Sequence, residues 1–386
     1  MTVILLGIGL QGKAALFDLV HNSTFEKVVA IDGDQGVVEW AKENFCNSRV
    51  EVRRIDISNG EKVYEVFQES GKGIVIDLLP IQFISSVAEA SVKAGFHYIN
   101  TFYIPDELYE ISRRAEEGGL TVLPEFGLDP GIDLVLAGRG LSTMDVVTDF
   151  FSYGAGIPEP VACTNPLNYK ISWTFDGVLA CYNRLARIIE DGKEIEIPAR
   201  DIFDERWQRI VSVGSVGELE CHPNGDITQY VQRADLRGVR NAGRYTMRWP
   251  GHNRFWNIIS KFGLLEDTPI VIDGKSVSKQ KVVSRLLEPH LHYGDKERDM
   301  AILKVEIIGE KDTKKVKHIY EMVDYRDLDT GFFAMSRTVG FVASIGAQMI
   351  SNGSIKKRGL CDPMRDVPYG TFIKELGKRN IKITER

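Results

Sequence analysis

The residues best suited to chemistry come early in the chain. Gly7-Ile-Gly-Leu-Gln-Gly12 spells GxGxxG, and Asp32 follows twenty residues after its last glycine. That spacing suits the pyrophosphate of a dinucleotide. Gly7 permits a tight turn, and Gly9 lets the backbone come close to phosphate. Gly12 lets the following helix pack on the preceding strand. Leu10 and Gln11 complete the turn, and the helix behind them directs its N-terminus at the negative charge. Asp32 is placed to accept the ribose hydroxyls of NAD and to repel a 2′-phosphate. Gly33, Asp34, Gln35 and Gly36 follow it without a cation, while Arg53 and Arg54 come later. This charge logic favours NAD over NADP. Asp56 suits either the adenine edge or a turn cap.

Such a site needs a sheet to carry it. Thr2–Leu6 is an apolar run that stops at Gly7, the profile of a buried parallel strand. Residues 13–21 have helical spacing, and 27–31 read as a second strand ending at Asp32. Strands are expected at 50–55, 73–79, 98–101 and 120–123, and helices at 83–94 and 105–117. Alternating strands and helices imply an α/β fold with a doubly wound parallel sheet. Ligands bind beyond the carboxyl ends of such strands. Leu79, Pro80, Tyr103 and the segment from Glu125 are therefore the residues to watch. Glu125-Phe-Gly-Leu-Asp-Pro-Gly-Ile-Asp133 breaks the rhythm with turn formers flanked by aspartates. Strand-like runs then occupy 212–249 and 268–325, and 332–350 reads as an apolar helix with many small residues.

The chain has 386 residues, 43% of them hydrophobic and 26% charged, which fits a globular protein of two or three domains. A net charge of −6 argues against nucleic acid as a partner. No apolar run reaches the length of a membrane helix, and the start lacks a signal-peptide pattern. Cysteines at 46, 163, 181, 221 and 361 form no CxxC pair, so neither a metal site nor a disulfide framework is expected. A cytoplasmic setting and, by default, a homodimer are expected.

Several blocks in order resemble one family. Gly127-Leu-Asp-Pro-Gly-Ile-Asp133 resembles the GLDPGID signature of the saccharopine reductases, the glutamate-forming saccharopine dehydrogenases. Ser152-Tyr-Gly-Ala-Gly-Ile-Pro158 is similar to their SYCGGLP, and Asn165-Pro-Leu-Asn-Tyr-Lys-Ile-Ser-Trp173 to NPLGYKFSW. His222-Pro-Asn-Gly-Asp226 is similar to YPNRD. Ala334-Met-Ser-Arg-Thr338, Ala347-Gln-Met-Ile350 and Lys357-Arg-Gly359 resemble the ending of bacterial lysine 6-dehydrogenases. The resemblance implies a Rossmann domain over 1–125 and an α+β substrate domain with a mixed sheet over 126–333. Residues 334–386 would be helices packing back on the Rossmann domain.

It also implies hydride transfer between NAD(P) and a carbon bonded to nitrogen in an amino acid. The reaction would be saccharopine oxidation to L-glutamate and α-aminoadipate semialdehyde, or its reverse. The alternatives are lysine 6-dehydrogenase chemistry, a related carboxylated-polyamine dehydrogenase, or a non-catalytic NAD-binding protein on the same scaffold. Tyr103 matches the tyrosine of the family's SSYIS-like segment. Asp129 lies in the signature turn, with Asp133 as a partner or a helix cap. Lys170 would serve as a base if a pocket lowered its pKa. Tyr103, Asp129 and Lys170 are thus the candidate catalytic residues. Arg244 and Arg248 match the family's RGTLRYxG and would share one face of a strand as carboxylate anchors. Two departures stand out: the family's SYCGG cysteine is Gly154, and the arginine of SSRGVL is Asp176. Asp176 removes a carboxylate anchor and would suit an ammonium group instead.

Overall fold

The computed structural model describes residues 1–45, 47–266 and 268–386; Cys46 lies outside these. Strands and helices alternate at first: β1 (Thr2–Leu6), α1 (Leu10–Asn22), β2 (Lys27–Asp32), α2 (Gln35–Asn44), β3 (Val50–Arg54), α3 (Gly60–Ser70), β4 (Gly73–Asp77), α4 (Ile84–Lys93), β5 (His97–Asn100), α5 (Asp106–Glu117), β6 (Thr121–Leu123) and α6 (Ile132–Leu141). The middle carries β7 (Val146–Pro158), α7 (Phe175–Tyr182), β8 (Ala186–Glu190), β9 (Lys193–Ile197), β10 (Arg209–Val213), β11 (Gly217–Pro223), α8 (Thr228–Arg233), β12 (Asn241–Arg248) and α9 (His252–Lys261). Then come β13 (Ile270–Ile272), β14 (Lys275–Val277), α10 (Lys279–Leu287), β15 (Asp299–Lys311) and β16 (Lys314–Tyr325). The end adds α11 (Ala334–Ser351), β17 (Gly359–Leu360), α12 (Pro363–Asp366), α13 (Tyr369–Lys378) and β18 (Ile383–Glu385). No helix among the described residues is long and apolar enough to cross a membrane.

Two compact units result: Met1–Gly138 with Ser336–Ile381, and Arg139–Met335 with Lys382–Arg386. Among the described residues, the first unit's sheet has seven strands ordered β17-β6-β5-β4-β1-β2-β3. All pair in parallel. Helices cover a parallel sheet on both faces, so Val3–Leu6 and residues 74–76 can be continuous apolar runs and are fully buried.

The first unit runs past the expected boundary at 125. Residues 132–138 of helix α6 belong to it, and a Cβ at Gly138 would lie 1.8 Å from the Met364 carbonyl oxygen. The returning segment also supplies a strand where helices alone were expected. Gly359 pairs with Thr121, and Leu360 with Val122. Gly340 on α11 lets two helix backbones meet, since a Cβ there would sit 2.3 Å from the Gln11 carbonyl oxygen. Arg379 then grips α1. Its Nε and Nη2 donate to the two oxygens of the buried Asp18 at 2.7 and 2.9 Å.

In the second unit, the described sheet has nine strands: β10-β11-β12-β7-β15-β16-β18, with β8 and β9 branching from β12. Strands β7 and β12 run parallel and the other neighbours antiparallel, so the sheet is mixed. The final strand, β18, pairs with β16 in this unit. Side chains alternate along β12. Tyr245 and Met247 join an apolar cluster with Tyr153 and Ile302, which leaves Arg244 and Arg248 to the opposite face.

Candidate active site

The glycine turn has the geometry that its spacing requires. Gly7 lies at φ +86°, in the left-handed region that favours glycine. A Cβ at Gly12 would fall 2.0 Å from the Gly7 carbonyl oxygen, so a side chain there would force the turn open. A Cβ at Gly9 would meet no described atom within 4 Å, which leaves that backbone open to a phosphate. Leu10, exposed, and Gln11, half-buried, begin α1. Asp32 ends β2, and its carboxylate accepts from Ile8 N at 2.7 Å and Asp34 N at 2.9 Å. Each oxygen retains accepting capacity for a ribose hydroxyl. The sheet register sets Arg54 beside Asp32, and Arg54 Nε donates to the Gly33 carbonyl at 3.1 Å.

Asp56 caps a turn. It is exposed, and its Oδ1 accepts from Ser58 N at 3.0 Å and Ser58 Oγ at 2.7 Å. Those bonds hold its carboxyl below the ordinary range.

The other strand ends of this unit gather the remaining candidates. Leu79 is buried and Pro80 exposed just after β4. Tyr103 is half-buried in the loop after β5. The signature turn closes on itself: Gly127 N donates to the Pro130 carbonyl at 3.0 Å, and Ile132 N to that of Gly127 at 2.9 Å. Gly131 permits this, as its Cβ would lie 2.1 Å from the Gly127 oxygen. Asp133 is buried and accepts from Gly131 N at 2.8 Å, so it braces the turn at the start of α6. Asp129 is half-buried within the turn. Glu125, at the head of the segment expected beyond β6, is fully buried at φ +55°.

In the second unit, Lys170 and Arg248 are both buried. Lys170 Nζ donates to Glu297 Oε2 at 2.5 Å and lies 5.8 Å from the Tyr293 ring centroid. Glu297 also accepts from Gly294 N at 2.6 Å. The Lys170 bond and then the Gly294 bond hold its carboxyl below the ordinary range. Lys170 is thus ion-paired with Glu297. Arg248 Nε donates to Tyr182 Oη at 3.2 Å, and its guanidinium lies 5.1 Å from the Tyr169 ring centroid. Tyr182 Oη in turn pairs with His252 Nε2 at 2.8 Å. Arg244, also buried, stacks over Tyr230 at 4.7 Å.

Asp176 is exposed in the first turn of α7, where the helix start favours an acid, and accepts from Ser284 Oγ of α10 at 2.8 Å. Glu297, Tyr182, His252 and Tyr293 were not singled out from sequence, because only the fold brings them to Lys170 and Arg248.

His222 and His252 are buried as neutral rings. His222 Nδ1 donates to Asn253 Oδ1 at 2.8 Å. Burial, and then the Arg248 charge, drive the His222 pKa from an ordinary 6.5 down to about 3. A lowered folded-state value means that the unfolded chain binds the extra proton. The stability this ring contributes is present above pH 6.5 and drains away as pH falls toward 3. In nitrogen-detected NMR at pH 5, the His222 ring is expected to stay neutral. Titration of His222 near 6.5 would refute this.

Comparison with known proteins agrees on one family. Residues 3–123 match the model of the saccharopine dehydrogenase NADP binding domain. Residues 127–381 match that of the saccharopine dehydrogenase C-terminal domain. The Saccharomyces cerevisiae saccharopine dehydrogenase [NADP(+), L-glutamate-forming] is 25% identical, over 97% of this chain and 96% of its own. The Arabidopsis thaliana alpha-aminoadipic semialdehyde synthase is 25% identical over 88% of this chain, which spans only 39% of that longer protein. The apo structure of the yeast saccharopine dehydrogenase superposes with a TM-score of 0.86 at 23% identity, covering 100% of this chain and 99% of that one, a likeness of fold. With both domains matched in order, this chain belongs to the saccharopine dehydrogenase family, NAD(P)-dependent oxidoreductases that act on a CH–NH bond.

Proposed function

We propose that this chain oxidises the secondary amine of saccharopine, or runs the reverse reduction, with NAD as the preferred cofactor. The observation that carries the substrate reading is the pair of buried cations, Lys170 and Arg248, set among Tyr169, Tyr182 and Tyr293. A buried guanidinium with an oriented fork suits a substrate carboxylate. Arg244, on the same face of β12, is the second proposed anchor.

The reaction has a simple balance. Hydride leaves the carbon for the nicotinamide, the nitrogen lone pair forms C=N, and one proton is released. Water adds to the imine, and the carbinolamine collapses to aldehyde and L-glutamate. The nicotinamide supplies the hydride acceptor; the protein binds, orients and moves protons. Tyr103 and Asp129 are the proposed proton-handling groups. Lys170 holds charge and donates a hydrogen bond, and Asp133 braces the turn that carries Asp129.

Asp32 supports NAD, although the family model and the yeast relative are named for NADP. Arg54 beside it gives a 2′-phosphate one possible partner. The second reading is lysine 6-dehydrogenase chemistry. Asp176 favours it, because an acid stands where saccharopine reductases carry an arginine. We also read the protein as a cytoplasmic homodimer, from its cysteine usage and the commonness of twofold assemblies.

One assay tests these points. Protein is mixed with NAD⁺ or NADP⁺ and either saccharopine or L-lysine, and reduced cofactor is followed by absorbance. The expected result is turnover of saccharopine with glutamate release. NAD⁺ should be favoured in kcat/KM by about tenfold, equivalent to roughly 1.4 kcal/mol. Turnover of lysine alone, with ammonia release, would replace the first reading by the second. A preference for NADP⁺ would overturn the role given to Asp32.

A further inference from the structure

Asp77 is a carboxylate that the reaction outlined above does not use. It ends β4 and is buried, and its partners are a phenol and a backbone N–H rather than a cation. Tyr98 Oη donates to Asp77 Oδ2 at 2.7 Å. Asn100 Nδ2 donates to Tyr98 Oη at 3.3 Å. Both Tyr98 and Asn100 lie on β5 and are fully buried. A chain of donors thus runs along β5 and ends on the Asp77 carboxylate. Burial pushes that carboxyl up to about 7, against the pull of the Tyr98 and Leu79 bonds. Such a group is costly to keep in a core unless it holds something in place.

What it holds lies at both ends of the chain of bonds. Asp77 Oδ1 accepts from Leu79 N at 3.0 Å, which fixes the segment leading to Pro80. That segment also walls the glycine turn, because a Cβ at Gly7 would lie 3.0 Å from the Leu78 carbonyl oxygen. At the other end, Asn100 Oδ1 accepts from Phe102 N at 3.0 Å, one residue before Tyr103. The Asn100 carbonyl accepts from Phe126 N at 3.0 Å, next to the signature turn. The register places Asp77 directly opposite Asn100.

We propose that Asp77, Tyr98 and Asn100 form a positioning triad that locks the carboxyl ends of β4 and β5, presenting Leu79–Pro80 to the cofactor and Tyr103 to the substrate in one geometry. It rests on the functional reading above, which assigns proton handling to Tyr103, and on the position of Leu79–Pro80 beyond the carboxyl end of β4. The three are positioning residues, because none is assigned a contact with a ligand. Misplacing a reacting group by a fraction of an ångström lowers the rate without abolishing binding.

The test uses the full chain with Tyr98→Phe, which keeps the ring and removes the bridging hydroxyl, and with Asp77→Asn. Hydrogen exchange at the Leu79 and Phe102 amides is measured with NADH bound, and kcat and KM with whichever amino acid the wild type turns over. The expected result is faster exchange at both amides, a kcat lower by about tenfold, and KM values within about twofold of wild type. If Asp77→Asn fails to fold, Tyr98→Phe decides alone. Unchanged exchange, or unchanged kcat in a variant with faster exchange, overturns the triad. Faster exchange at both amides in a protein inactive on every amino acid tried would sink the reaction assignment while supporting the triad's hold on the two loops.

Discussion

Replacing Asp18 by alanine is expected to lower the free energy of unfolding by about 3–5 kcal/mol, the cost of stranding a buried charge. Asp18 and Arg379 are separated by 361 positions in sequence, and their side chains are 0% and 2% exposed. The guanidinium is bidentate on the carboxylate, a geometry that discriminates strongly among partners. Asn22 Nδ2 and Gln348 Nε2 add bonds to Asp18 at 2.8 and 3.2 Å, so α1, α11 and the residue after α13 converge on one carboxylate. With alanine at 18, Arg379 keeps its bonds to Glu375 but loses the partner that neutralises its buried face. Thermal unfolding of the variant should begin well below that of the wild type. Because α1 also carries the cofactor turn, NADH should raise the transition temperature of the variant by a smaller increment. Asp18→Leu with Arg379→Met should recover much of the loss, since an apolar pair leaves no uncompensated charge. An Asp18→Ala protein that melts within about 2 °C of wild type would show that the pair contributes little.

Arg248→Lys is expected to lower kcat/KM for the amino-acid substrate by about a hundredfold, carried mainly by KM, with KM for the cofactor little changed. Lysine keeps the charge but loses the planar fork, and a carboxylate gripped by two N–H groups feels that loss. The Arg248 fork is oriented before substrate arrives. Its Nε donates to Tyr182, and its Nη1 to the Met247 carbonyl at 2.9 Å. His252 behind Tyr182 extends that support. Steady-state kinetics with the amino acid and the cofactor varied separately measure the effect. A KM for the amino acid within about threefold of wild type would remove Arg248 from the substrate site, because losing a charged bidentate contact costs more than that.

Much of the cofactor half was legible in one dimension. The glycine spacing, the apolar run before it and Asp32 after it lie within 32 residues, and local sterics and charge decide what such a stretch does. The alternation of strands and helices through residue 123 was equally clear, because buried parallel strands must be continuously apolar. The signature turn announced itself by its glycines and proline. Asp56 was ambiguous for a physical reason: an acid after a strand caps a turn, as Asp56 does with Ser58, as readily as it meets a ligand.

The substrate half was less legible. A period of two correctly placed Arg244 and Arg248 on one face of β12. Spacing could not reveal that Glu297 would pair with Lys170 across 127 positions, or that Ser284 would hold Asp176. A lysine's chemistry depends on its neighbours, and those neighbours come from distant segments. The same holds for β17, whose two residues are too few to carry any period.

The glycine turn, the acid that ends β2, the parallel sheet around them and the family to which they belong were readable from residue order. All of these follow from local conformational limits and from the burial of short apolar runs. Folding was needed to bring Arg379 onto Asp18, to pair Lys170 with Glu297, and to end a buried chain of hydrogen bonds on Asp77. Each depends on long-range pairing, and a buried charge takes its character from whichever partner the fold brings within reach.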